Sequence, residues 1–252
     1  MNKIQSVKCF FGLALFSVLG MQTASASLIL ETFQQFSGTG LGTVPTIVTF
    51  QNVGTETGCF GSNGAGSTLV AGACTAGGDT KTGNSQAQLQ PLSLTSITNA
   101  SNFALIYNAV QPAGGPLLVT DIRAAFYNSN GTLLYQTSGL SCQNSAGGLI
   151  VPSGSGCLLL ATAQGTGNSG FLVTLDPAQQ AAATAAGAFS STSNLVGVSS
   201  AAGGPSGASA GGSETVFLAN AITSTPVPEP GTSVMLLSGL GLLAFGLKRR
   251  KS

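Results

Sequence analysis

Gly207-Ala208-Ser209-Ala210-Gly211 has the G-x-S-x-G spacing that lifts a nucleophilic serine onto a sharp turn. Such a serine needs a strand before it, a helix after it and a base to take its proton. The flanks here are Gly, Ser and Ala, and the chain contains no histidine. The match follows from composition. Glycines at 38–42 and 61–66 likewise lack the strand–turn–helix setting that would cradle a phosphate, and read as loops. In Gly77-Gly78-Asp79-Thr80-Lys81-Thr82-Gly83-Asn84 a calcium loop would need several carboxylates, but only Asp79 is present and Lys81 opposes a cation. That segment reads as a polar turn. Asp121 and Arg123 stand two apart on one strand face and read as an exposed ion pair. A hydrolase could instead work through two carboxylates, which only the fold can bring together. Glu31, Glu56, Asp79, Asp121, Asp176 and Glu214 show no pairing in the sequence. No catalytic residue, metal site or cofactor is assigned.

Cys59, Cys74, Cys142 and Cys157 form two sets, each 15 residues apart, around Gly-rich segments. Four cysteines allow three connectivities. The expected pairing is local, Cys59 with Cys74 and Cys142 with Cys157, as staples formed in an oxidising compartment. No C-x2–4-C pair and no histidine supports zinc.

The elements that would carry these residues are mostly strands. PLLVTDIRAAFYNSNGTLLYQTSG, residues 116–139, alternates on either side of Asn130-Gly131 and predicts a hairpin. In it Leu118, Ile122, Ala124 and Phe126 are assigned to one face and Asp121, Arg123 and Tyr127 to the other. Further strands are expected at 27–33, 46–53, 88–97, 103–110, 157–163, 171–175, 194–199 and 214–221. Asp176-Pro177 opens one helix over about 177–186, with Asp176 as N-cap and Gly187 as stop. Residues 200–213 are low in complexity and read as a flexible loop. The expected fold is mainly β: an antiparallel β-sandwich or jelly-roll-like domain with one short helix.

Charged residues make up 6% of the 252-residue chain, against roughly 25% in ordinary soluble domains, while 43% are apolar. Enough apolar surface remains to build a core. The net charge of +1 hides a segregation of sign. Lys3, Lys8, Lys248, Arg249, Arg250 and Lys251 lie at the ends, whereas the segment between holds two basic residues against seven acidic ones, a net of −5. Such a body offers no footprint for nucleic acid.

The N-terminus runs from the basic MNKIQSVK through apolar CFFGLALFSVLGM to Ala24-Ser25-Ala26. These are the parts of a secretory signal peptide over 1–26, with cleavage expected after Ala26 by signal peptidase following passage through the Sec translocon. At the other end, Thr232 to Leu247 is a 16-residue stretch free of charge. As a helix it reaches about 24 Å, near the thickness of a bilayer core. Lys248, Arg249, Arg250 and Lys251 form a cytoplasmic basic stop. Pro228 and Pro230 prevent a helix upstream, leaving an extended peptide just outside the inner membrane.

Val227-Pro228-Glu229-Pro230, the Gly/Leu-rich span 232–247 and the terminal Lys/Arg cluster together resemble the PEP-CTERM sorting signal of Gram-negative bacteria, over about residues 226–252. The resemblance implies recognition by exosortase, a membrane cysteine protease that removes the tail and passes the protein to the cell surface or extracellular matrix. A β-rich secreted domain over 27–225 would then remain. Its expected role is non-catalytic, structural or interacting, in contact with exopolysaccharide. The alternatives are a carbohydrate-binding or adhesin sandwich using a face near Tyr127 and Tyr135, and a secreted hydrolase with paired carboxylates.

Overall fold

Asn128 organises the central hairpin. Its side-chain oxygen accepts from the Asn130 and Thr132 amides at 3.0 and 2.9 Å, and its carbonyl accepts from Gly131 at 2.9 Å. Gly131 takes φ +81°, open to glycine without strain. The turn thus joins the two strands predicted from sequence. In the computed structural model the described residues are 27–35, 45–83, 85–111, 115–143, 149–160, 169–204 and 208–221.

In chain order the strands are β1 (Leu28–Gln35), β2 (Thr46–Phe50), β3 (Val53–Gly61), β4 (Gly64–Gly66), β5 (Leu69–Val70), β6 (Ala73–Cys74), β7 (Gln90–Pro91), β8 (Phe103–Asn108), β9 (Leu117–Tyr127) and β10 (Leu133–Gln136). After them come β11 (Leu140–Cys142), β12 (Ile150–Ser153), β13 (Gly156–Leu159) and β14 (Ser169–Leu175). Helix α1 (Pro177–Ala185) precedes β15 (Leu195–Gly203), β16 (Ser209–Ala210) and β17 (Glu214–Asn220). Six strands form one sheet in the order β11-β1-β14-β8-β17-β2. The second sheet follows β12-β13-β9-β15-β3-β16, with β10 beside β9, β4 beside β3 and β7 beside β15. All described pairings are antiparallel except β1 with β11. The two sheets pack face to face as a β-sandwich.

One core fills the space between them. Leu105, Val173, Val216 and Leu218 of the first sheet meet Ile122, Phe126, Val196 and Val198 of the second. Phe103 and Phe126 are buried in it and the half-buried Phe189 packs against them, with ring centroids 4.9 Å apart for Phe103–Phe126 and 5.2 Å for Phe126–Phe189. Such tilted pairs add to the burial of their apolar area.

Helix α1 begins as expected. The Asp176 carboxylate accepts from the Gln179 amide at 2.7 Å, and Pro177 occupies the first helical position. The helix ends where the Gly187 amide donates to Thr184. It is tied to the second sheet by Gln179, which donates to the Ser138 carbonyl and accepts from the Tyr135 hydroxyl.

Three local readings are corrected. Residues 88–97 give only the two-residue β7, followed by a 3-10 turn over Leu92–Thr95 that ends at a left-handed Ser96. Residues 200–213 are not one loop, since β15 runs to Gly203 and β16 pairs with β3. Along β9 the alternation changes phase. Ala201 pairs with Asp121 but Ala202 pairs with Val119, so Thr120 is an extra residue. Leu117 and Val119 therefore enter the core with Ile122, Ala124 and Phe126, and Leu118 does not share their face.

Candidate functional site

Glu56 lies on β3 among inward-facing positions and Glu214 opens β17 on the opposite sheet. Both side chains are fully buried in the interior. Glu56 accepts from the Asn52 amide at 3.0 Å, and Glu214 accepts from the Gln111 side-chain amide. Gln111 in turn accepts from the Ala210 amide at 2.6 Å, tying β16 into the cluster. Each carboxyl keeps one oxygen, Glu56 Oε1 and Glu214 Oε2, without a protein donor. The two carboxyls are in hydrogen-bonding contact with each other.

Electrostatics decide the state of this pair. Burial pushes the Glu214 carboxyl far above the ordinary carboxylate range, to about 10, reinforced by the hydrogen bond to Glu56 and by the Glu56 charge. Burial also raises Glu56, while Glu214, the Asn52 amide and the neighbouring Ser209 hydroxyl pull it back. Two like charges in contact and out of water cannot both ionise near neutral pH. Glu214 therefore holds a proton, which makes its carboxyl a donor beside the Glu56 acceptor. Tyr107 of β8, fully buried in the same core, has its phenol raised by burial first and by Glu214 and Glu56 next.

The fold thus brings together two carboxyls that the sequence left unpaired. It places them in the core between the sheets rather than on a surface cleft, where they join β3 to β17. Nothing in the spacing of residues 56 and 214 could have revealed the pair, because it depends on two strand registers in two sheets.

The other candidates lie elsewhere. Ser209 Oγ donates to the Asn52 carbonyl at 2.9 Å from the two-residue β16, so its surroundings are strand pairing and not a strand-to-helix turn. Asp79 accepts from the Asn52 side-chain amide and the Thr57 amide, both at 2.9 Å, so protein donors occupy both its oxygens. Among the described residues, no group of three or more His, Cys, Asp or Glu side chains comes together. Asp121 and Arg123 form the expected ion pair at 2.8 Å, partly exposed. Burial raises the Asp121 carboxyl while Arg123 pulls it back.

Tyr127 shares the strand face of Asp121 and Arg123, as expected, and is fully buried there with Cys59, Leu69, Cys74 and Ala125 in a second apolar cluster. Its hydroxyl donates to the Gly72 carbonyl, and burial raises the phenol to about 12. Tyr135 is half-buried and its hydroxyl donates to Gln179. These two rings form no exposed sugar-stacking face.

Both disulfides have the predicted connectivity. Cys59–Cys74 spans 6.1 Å between Cα atoms and fastens the β5–β6 hairpin to β3. Cys142–Cys157, at 5.5 Å, links β11 of the first sheet to β13 of the second.

Ala24, Ala26, Val227, Pro228, Glu229, Pro230, the span 232–247 and Lys248, Arg249, Arg250 and Lys251 lie outside the described residues. No helix among the described residues is long and apolar enough to cross a membrane. The described residues define a disulfide-stapled β-sandwich of exported type. Its tail supplies the address, because residues 226–251 match the PEP-CTERM protein-sorting motif, as the sequence led us to expect. That motif marks an exported protein handled by exosortase. Neither the curated proteins nor the solved structures contain a match to the chain.

Proposed function

We propose that the protein is a non-catalytic surface or matrix component, delivered through the inner membrane and released from its anchor by exosortase into contact with exopolysaccharide. The observation that carries this reading is the sorting motif at 226–251. The β-sandwich supports it. Its two disulfides suit an oxidising compartment, and the low charge of the body suits hydrated neutral polymers. Its paired carboxyls, Glu56 and Glu214, are buried in the core.

The test combines fractionation with mass spectrometry of the mature C-terminus. In wild-type cells the protein should lose the basic foot and collect outside the inner membrane. In cells without exosortase, or after deletion of 226–252, its distribution should change. A mature chain that still ends at Ser252 in wild-type cells would overturn the reading.

A further inference from the structure

Ser27 stands at the head of β1, opposite Asp176, where the β1–β14 ladder continues beyond the Leu28–Leu175 pair. The Asp176 amide donates to the Ser27 carbonyl at 3.3 Å. In return the Ser27 backbone nitrogen donates to Asp176 Oδ2. The other oxygen, Oδ1, caps α1 through Gln179. One carboxylate therefore holds both the first helical turn and the start of the first strand.

Ser27 is also the residue that follows Ala24-Ser25-Ala26, the small-residue site of the signal peptide. We propose that removal of the signal peptide converts the Ser27 nitrogen from an amide into an α-ammonium that forms an ion pair with Asp176, so that processing itself locks β1 to the cap of α1. Hydrolysis of the Ala26–Ser27 bond gives the hydroxyl of water to the Ala26 carboxyl and a hydrogen to Ser27. The freed amine then takes up a proton below its ordinary pKa of about 8.

The surroundings favour such a pair. Ser27 is half-buried, so the ammonium keeps contact with water for its remaining protons. Among the described residues the side-chain cations are Lys81 and Arg123. Arg123 belongs to Asp121, and the Lys81 backbone is held at Thr49 of β2, so neither competes for Asp176. The nearby titratable groups are Glu31 of β1, hydrogen-bonded to the Thr174 hydroxyl of β14, and Tyr135 of β10. Burial raises the Tyr135 phenol, and the Asp176 charge raises it further, so that charge is felt across this corner. An ammonium at Ser27 would be the first cation to answer it.

This inference rests on the export reading only through the signal peptide. The test uses the full chain exported and matured in a Gram-negative host, with its N-terminus read by mass spectrometry. Asp176→Asn is the informative variant because asparagine caps a helix about as well as aspartate. A second variant inserts two alanines between Ala26 and Ser27, which moves the ammonium away while the Ser27 amide remains. In a double-mutant cycle on unfolding, the ammonium and Asp176 should couple by roughly two- to fivefold in the equilibrium constant, the range of partly exposed ion pairs. The α-amino group should titrate above its ordinary value in the wild type and return to it in Asp176→Asn.

Zero coupling with an unshifted amine would overturn the proposal. So would a mature chain that begins at another residue, while exosortase sorting would stand. Failure of tail removal with the Ser27 coupling intact would instead strike the sorting reading and leave this one in place.

Discussion

Glu56 on β3 and Glu214 on β17 are buried together between the two sheets, each shifting the other's carboxyl, with no side-chain cation among the described groups that act on them. Asp79 adds a further negative influence on Glu56. This is a polar contact between two buried carboxyls, and its strength depends on protonation.

The sign follows from linkage. The folded Glu214 carboxyl has a raised pKa, so the native state binds a proton that the unfolded chain has lost above about pH 4.5. Its contribution is complete below that value and declines as pH rises toward about 10. Between pH 6 and 8 unfolding should release one proton, and stability should fall by up to about 1.4 kcal/mol per pH unit. Glu214→Gln keeps a donor toward Glu56 without the titration. It should flatten the slope and be more stable than wild type at pH 8, as read by urea unfolding across pH. A wild-type slope of zero, or a slope unchanged in Glu214→Gln, would remove the proton assigned to Glu214.

The disulfides allow a graded comparison. Each closes a loop of 15 residues, for which the chain-entropy estimate is about 3 kcal/mol. Cys142→Ser/Cys157→Ser frees β11 of one sheet from β13 of the other and should lower stability by about that amount. Cys59→Ser/Cys74→Ser loosens only one end of a single sheet, and its damage should centre on the second apolar cluster with Leu69 and Tyr127. Hydrogen exchange on the two double variants would show whether the losses are cross-sheet and local, respectively.

Local signals in the sequence carried over well, and non-local ones did not. Asn128 and Gly131 bend a chain of their own neighbours, and Asp176 caps a helix three residues on, so both were legible. The cysteines at equal spacing were legible for the same reason. β3 escaped notice because Gly54, Glu56 and Gly58, residue types depleted in strands, interrupt its Val and Thr positions. Pairing with β15 over Thr55 to Phe60 makes it a strand regardless. The phase change in β9 was hidden because a bulge leaves no composition signal at Thr120. The carboxyl pair needed the registers of β3 on β15 and of β17 on β8 together, which no single segment contains.

Phe126 tests the core itself. It touches Phe103, Tyr135 and Phe189 and is fully buried between the sheets. Phe126→Ala should cost about 3–5 kcal/mol through lost burial and the cavity left behind. Because Tyr135 also holds Gln179 of α1, the variant should expose the helix to exchange before the distant β1–β11 edge. Uniform loss of protection would show instead that the helix unfolds only with the whole sandwich.

Gly203 shows how closely two strands can be forced together. It ends β15 at φ +93°, and a Cβ there would lie 2.0 Å from the Gly54 carbonyl oxygen on β3. Neither backbone strain nor a rotamer change can relieve a clash with backbone, so Gly203→Ala must separate the ends of β15 and β3. That end carries Glu56, paired with Ala202, and lies next to the Ser209–Gly54 bridge of β16. The expected result is a loss of about 1–3 kcal/mol, together with a weaker pH slope, since parting the strands admits water to the carboxyl pair. Gly64→Ala is the control: it shares the positive φ, at +102°, but has open space around its Cβ. It should lower stability by the conformational strain alone and leave the pH slope intact. Equal slopes in both variants would separate the Gly203 contact from the protonation of Glu214.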